Sequence, residues 1–301
     1  MDIWDSEQYW KKAIRYVELS AHPERDAWER PFWLSLALEF LARAALTKIH
    51  PALNADPEGD GLNLLYAFGY ELKGQPKSLP IHAVLLRLQK VVPELTKPRR
   101  EFCDFFSNVR NQELHTCEMP FESLAESKWL ARFYDVCHVL CDHLGKDPKE
   151  LFGVSEAAAA AGLINALKSE KIGAVKSKIA AHRTVFTSKT EEEQKQMQSQ
   201  SLLLSKQWLH TETAVECPAC QCLAKLVGTV ERVSRPFYDG DELLERNTVL
   251  ANRLDCAACG LALSDVDELH VAGIEPHFHY NESTELHDYH EPDQYREYNN
   301  M

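Results

Sequence analysis

The sequence predicts a mainly α-helical chain that ends in a small β-rich module. Three observations carry this. Apolar residues recur at helical spacing through the first 150 residues, an Ala- and Lys-rich stretch continues the helical pattern to about residue 208, and from about residue 211 β-branched, partly alternating segments flank two Cys-x-x-Cys pairs. A chain of 301 residues is long enough for one large domain or two to three ordinary ones.

Taken in order, residues 6–20 set Tyr9, Ile14, Tyr16, Val17 and Leu19 at helical spacing and offer Asp5 as N-cap. Residues 31–49, PFWLSLALEFLARAALTKI, open on Pro31 and are apolar on most faces, which predicts a helix at the centre of the core. Residues 62–72 and 79–93 read as two shorter helices parted by the turn-forming KGQPKS. A helix over 97–117 carries Phe102, Phe105 and Phe106 and then the stretch NVRNQELHT. Residues 121–144 read as one amphipathic helix stopped by Gly145 and Asp147-Pro148. No strand alternation interrupts residues 1–150, so they predict a bundle of five or six helices. Residues 151–210 read as a connecting helical hairpin, with Thr190-Glu191-Glu192-Glu193 as a capping-box start. Within 211–280, CLAKLVGTVERVSR and RNTVLANRLDC read as strands with FYDGDE as the turn between them. Residues 281–301 lack a core pattern and predict a flexible or loosely docked tail.

The net charge of −13 is unevenly spread: −4 over residues 1–150, +3 over 151–208 and −12 over 209–301. The last third should therefore repel a nucleic-acid backbone, and a nucleic-acid partner points to the first two segments. No apolar run approaches the roughly 20 residues of a membrane span, so no membrane partner is expected. The N-terminal MDIWDSEQYWKK is polar and acidic rather than signal-like, and nine cysteines in that setting predict a reducing cytoplasm.

Cys217-Pro-Ala-Cys220 and Cys256-Ala-Ala-Cys259 are two pairs of soft ligands, each on a tight turn, separated by the predicted hairpin. That pattern predicts a zinc ribbon whose Zn2+ is structural, because four thiolates close the tetrahedral shell and leave no position for catalysis. Gly260 suits the second turn. Cys222 reads as a strand residue. Cys103, Cys117, Cys137 and Cys141 read as buried small hydrophobes in amphipathic helices. His277, His279, His287 and His290 read as scattered histidines of a polar tail rather than a second metal site, and His182-Arg183 as an unspecific helix face. No phosphate-binding glycine loop, GxSxG or HExxH occurs, so no cofactor for catalysis is expected.

In NVRNQELHT, Asn111 and His115 lie four apart on one helical face, with the long side chain of Arg110 one step round. A permanent cation, a group that titrates near neutrality and a polar orienter suffice to cleave RNA without metal. On spacing alone, a surface helix with Arg110 paired to Glu113 and His115 exposed is the competing reading. The stretch resembles the Arg-Asn-x-x-x-His signature of the HEPN superfamily (higher eukaryotes and prokaryotes nucleotide-binding domain). It lies late in an all-α region of about 150 residues with one long helix after it, and LALEFLARAAL resembles the early core helix of such domains. The resemblance covers the first half of the chain. It implies an HEPN-like helical bundle over 1–150, followed by the connector over 151–210, the zinc-ribbon-like module over 211–280 and the tail. It also implies a metal-independent endoribonuclease acting as a homodimer on an RNA substrate, in antiviral defence or toxin–antitoxin systems, with a regulatory protein or antitoxin as a further partner. Arg110 would stabilise the phosphate, His115 would act as general acid/base and Asn111 would orient Arg110, His115 or the RNA; Glu39 on the early helix is read as a support for the site or equally as a structural buried carboxylate, with no catalytic role. The alternative is a non-catalytic HEPN interaction protein whose acidic ribbon docks a protein partner.

Overall fold

A computed structural model of the chain describes residues 3–58, 61–71, 73–204, 209–239 and 242–284. It is mainly α-helical with a C-terminal antiparallel sheet, and it divides into two compact units, residues 1–168 and 169–301.

In the first unit, α1 (Ser6–Ser20) starts where Asp5 accepts a hydrogen bond from the Gln8 amide at 2.8 Å, as an N-cap should. The central helix α2 (Glu29–Ile49) buries Leu34, Leu38, Leu41, Ala42, Ala45 and Leu46, and Tyr16 of α1 stacks on its Phe40 at 5.2 Å. Helix α3 (Leu62–Ala67) is shorter than the pattern over 62–72 suggests, because Gly69 takes a left-handed φ of +87° and Tyr70 bonds back to the Leu65 carbonyl. Helices α4 (Ile81–Val91) and α5 (Lys97–His115) complete the floor of the core.

The single helix expected over 121–144 is instead a short α6 (Pro120–Ser123), a 3₁₀ turn at Glu126–Lys128 and α7 (Leu130–Leu144). The reason is packing. Phe121 and Trp129 both lie against Phe106 of α5, at 6.0 and 5.4 Å between ring centroids. In an unbroken helix they would be about 12 Å apart along the axis and could not share one ring. Gly145, at φ +67°, ends α7 as expected, and Asp147 does more than stop a helix: it forms a capping box with Glu150 that starts α8 (Pro148–Phe152).

Helix α9 (Val154–Thr187) contributes Ala157, Ala160 and Ile164 to the core of the first unit, and Val175, Ile179 and Phe186 to that of the second. Helix α10 (Glu191–Leu204) opens with the predicted capping box, in which Glu193 accepts from the Thr190 amide at 2.8 Å and the Thr190 hydroxyl accepts from the Glu193 amide.

The sheet is built round one long strand. Strands β1 (Glu212–Glu216), β2 (Leu223–Val233), β3 (Phe237–Asp239), β4 (Glu242–Asp255), β5 (Ala262–Leu263) and β6 (His277–Thr284) are joined so that β2 and β3 share one edge of β4 while β5 and β6 share the other. A short helix α11 (Val266–Val271) is N-capped by Asp265. Two expectations are corrected here. Phe237–Asp239 pairs with β4 instead of lying wholly in a turn, and residues 281–284 of the expected tail extend β6 along Leu243–Arg246, because β4 is long enough to leave that edge open to backbone pairing. His277 and His279 stand in β6; His287 and His290 lie outside the described residues. Among the described residues no helix is long and apolar enough to cross a membrane.

Gly228 sits at a register shift where β2 crosses β4 so closely that a Cβ would fall 2.4 Å from the Leu250 carbonyl oxygen. Gly228→Ala is expected to destabilise the second unit by roughly 1–3 kcal/mol through this overlap. Gly162→Ala, in an exposed and uncrowded part of α9, should stabilise by up to about 1 kcal/mol. Denaturant unfolding of the two variants checks the contrast; equal effects would contradict the close crossing.

Candidate functional site

Two places among the described residues gather the chemistry of interest. In the second unit, the Cys217, Cys220, Cys256 and Cys259 sulfurs lie within 4.8 Å of one another and form a cluster able to hold a metal ion. Each pair sits on a turn of the same construction. In the first, the Cys217 amide donates to the Cys222 carbonyl at 2.9 Å and the Gln221 amide to the Cys217 carbonyl at 2.9 Å. In the second, the Cys256 amide donates to the Leu261 carbonyl and the Gly260 amide to the Cys256 carbonyl, both at 2.8 Å. Gly260 and Gln221 hold the equivalent left-handed positions, at φ +75° and +62°. Glycine takes this conformation freely, whereas glutamine gives up about 1 kcal/mol there, so the first turn could not be read from its glycine content. Strands β2 and β4 bring the turns together by pairing Lys225 with Asp255, next to each knuckle.

Four thiols this close compete for one ionisation. Hydrogen bonds from Cys217 and Cys259 hold the Cys256 thiol low, at about 2. The same bonds push Cys217 up to about 12 and Cys259 up further, and burial raises Cys220 to about 11. The set ionises fully only with a cation among the sulfurs. Cys222 stands outside the cluster, as expected, but it is a buried bend residue just before β2 rather than part of the strand, because its carbonyl closes the first cysteine turn. Cys103, Cys137 and Cys141 are buried in the helical core, but Cys117 is exposed, because α5 ends at His115 and leaves it in the following loop.

His182 and Arg183 are not an idle helix face. Nδ1 of His182 donates to the Cys259 carbonyl at 2.8 Å, and Arg183 donates from Nη2 to the Pro218 carbonyl at 2.7 Å and from Nε to the Ala219 carbonyl at 3.3 Å. The signal that could have located them is the spacing Val175, Ile179, His182, Phe186, which puts one stripe of α9 over the sheet core.

The second place is on α5. Arg110 is 93% buried, at 7% relative exposure, and its Nη1 donates to Oε2 of Glu39 on α2 rather than to Glu113. Its Nη2 donates to Oδ1 of Asn111 at 3.0 Å, and its Nε is buried without a partner. Two of five guanidinium donors are engaged by these bonds. Glu113 instead accepts from the Phe121 amide at 3.4 Å. His115 is exposed at the last position of α5 and makes no hydrogen bond to Arg110 or Asn111 among the described residues. The structure thus joins Arg110 to Asn111 and leaves His115 about one turn further along the same helix.

Glu39, expected as a support for the site or as a structural buried carboxylate, is bound to Arg110 and to a second guanidinium. Its other oxygen accepts from Arg43 Nε at 3.1 Å and Nη2 at 2.8 Å, and Arg43 reaches on to Asn54 at 2.9 Å and to the Leu79 carbonyl at 3.0 Å. Burial pushes the Glu39 carboxyl upward, but the charges and hydrogen bonds of Arg43 and Arg110 outweigh it and hold the group below the ordinary value of 4.5.

No protein-family model, curated protein or solved structure matches the chain.

Glu39→Gln keeps the shape of the side chain but leaves two buried guanidinium groups without their counter-charge, so a loss of roughly 3 kcal/mol is expected. Because the folded state holds this carboxyl ionised, its stabilisation is full above pH 4.5 and is lost as pH falls through the lower folded value. Unfolding measured from pH 7 downward should show wild type converging on Glu39→Gln in acid; a constant gap across that range would contradict the bridge.

Proposed function

We propose that the chain is a metal-independent endoribonuclease of the HEPN type, acting as a homodimer in which Arg110, Asn111 and His115 form each protomer's half of a shared cleft. What supports this reading most is the Arg110–Asn111 hydrogen bond beside Glu39, with His115 exposed further along the same helix. A ribose 2′-hydroxyl attacks the neighbouring phosphorus, forming the 2′-oxygen bond as the bond to the 5′-oxygen breaks. One His115 removes the 2′-hydroxyl proton and the other supplies a proton to the departing 5′-oxygen. The unengaged donors of Arg110 meet charge gathering on the non-bridging oxygens, and Asn111 keeps the guanidinium turned toward them. The products are a 2′,3′-cyclic phosphate and a 5′-hydroxyl. The setting that fits is antiviral defence or a toxin–antitoxin pair in a bacterial cytoplasm.

The four-cysteine cluster is read as a structural zinc ribbon. The sulfur separations of 3.6 Å between Cys217 and Cys259 and 3.5 Å between Cys220 and Cys256 are close to the roughly 3.8 Å edge of a tetrahedron with zinc–sulfur bonds of about 2.3 Å. Four thiolates leave such an ion no place for substrate, so its work there is to hold the two turns together. A second reading, a non-catalytic interaction protein whose acidic last third docks a protein partner, is favoured by one observation: Arg110 is buried and its charge is answered by Glu39.

The test is RNA cleavage in excess EDTA. His115→Ala changes an exposed side chain, so stability should move by less than about 0.5 kcal/mol while cleavage falls by at least about 100-fold. Arg110→Lys is the companion variant, because it preserves a cation for Glu39 and removes the planar fork; a loss of similar size is expected. Undiminished cleavage by both variants would sink the assignment, and absence of cleavage by wild type at every concentration would leave the interaction protein.

A further inference from the structure

Arg183 makes an unusual choice of partners. Its hydrogen bonds go to the neutral carbonyls of Pro218 and Ala219, and it has no ion pair among the described residues. The peptide groups that carry those two carbonyls also carry the amides of Ala219 and Cys220, and both amides donate to the sulfur of Cys217. A guanidinium that draws density from two carbonyls makes the attached amides better donors, so its charge acts on the Cys217 sulfur through two peptide groups without touching it. An ion of charge +2 ringed by four thiolates carries a net −2, in a segment that is itself strongly acidic. A neighbouring cation without a carboxylate of its own is what such a centre lacks.

His182 performs the matching task on the other turn. The peptide group whose carbonyl accepts from its Nδ1 carries the Gly260 amide, and that amide closes the second turn on the Cys256 carbonyl at 2.8 Å. Consecutive residues of α9 therefore hold one turn each. They are kept there by Val175, Ile179 and Phe186, which bury themselves in the core beside Cys217 and Cys256. Lys171 adds a tether to Asp265 and Asp267, at 3.0 Å each.

We propose that Arg183 and His182 are positioning residues of the metal centre, holding its two turns closed and stabilising the thiolate-bound ion from outside the ligand set. This rests on the zinc reading above. The experiment uses the full chain loaded with zinc, whose metal content is measured first, followed by timed transfer of zinc to a chromophoric chelator. Arg183→Met and His182→Leu are each expected to release zinc at least about tenfold faster than wild type. Arg183→Lys, with the charge but not the fork, should fall between. In the cobalt-substituted protein, Arg183→Met should shift the sulfur-to-metal charge-transfer band. Leu269→Ala, which opens the same core from α11 and leaves the α9 stripe intact, serves as the packing control: it should lower thermal stability with zinc release much less affected than in Arg183→Met. Release within twofold of wild type for Arg183→Met and His182→Leu would overturn the proposal, as would acceleration by Leu269→Ala equal to theirs. A wild type that holds no zinc overturns the metal reading itself and is recognised before any release is timed.

Discussion

One carboxylate answers two buried guanidinium groups in the helical unit, and much of that unit is arranged round it. Glu39 stands on α2 and binds Arg43 on its own helix and Arg110 on α5. Through Arg43 the same network reaches Asn54, and through Asn54 it reaches Tyr9 on α1 at 3.2 Å. Three helices and a connecting turn thus meet at one negative charge. Burying two cations is tolerable only where such a charge and enough acceptors are present. Arg110 is held in one orientation by Glu39 and Asn111, and the proposed ribonuclease reading uses that fixed guanidinium as its phosphate contact.

The second unit depends on a different constraint. Its core is small and holds five thiols, four of them clustered so closely that they cannot ionise together unaided. The strand β4 organises the module by pairing along both edges, which sets the two cysteine turns side by side; the stripe of α9 then covers them. The helical pattern and the sheet pattern of this unit are two faces of one core, with the cysteine turns between them.

Most of the helical order was legible because apolar spacing and capping residues agree. Asp5, Gly145 and the Thr190–Glu193 box each mark an end that local chemistry alone decides. Long-range packing was not legible. The break between α6 and α7 exists because Phe121 and Trp129 share Phe106, and nothing within 121–144 announces it. The cysteine cluster could be read from spacing, since a Cys-x-x-Cys turn is local and its partner is chemically distinctive. The roles of His182 and Arg183 could not, because they act on residues between 35 and 77 positions away, and the Glu39–Arg110 pair spans 71. Arg110 was found as a residue, but its burial and its partner were not: a helical wheel offers Glu113 as readily as a distant carboxylate.

The proposed chemistry rests on attack by the ribose 2′-hydroxyl, and the most direct measurement removes that group. A short RNA that the protein cuts at a single position is prepared again with a 2′-O-methyl group on the nucleotide 5′ to the cut, and both are incubated with the protein in EDTA. The account predicts that the unmodified strand ends in a 2′,3′-cyclic phosphate and that the methylated strand stays intact at that position. Cleavage of both strands at similar rates, or a 3′-hydroxyl end on the unmodified product, would contradict it.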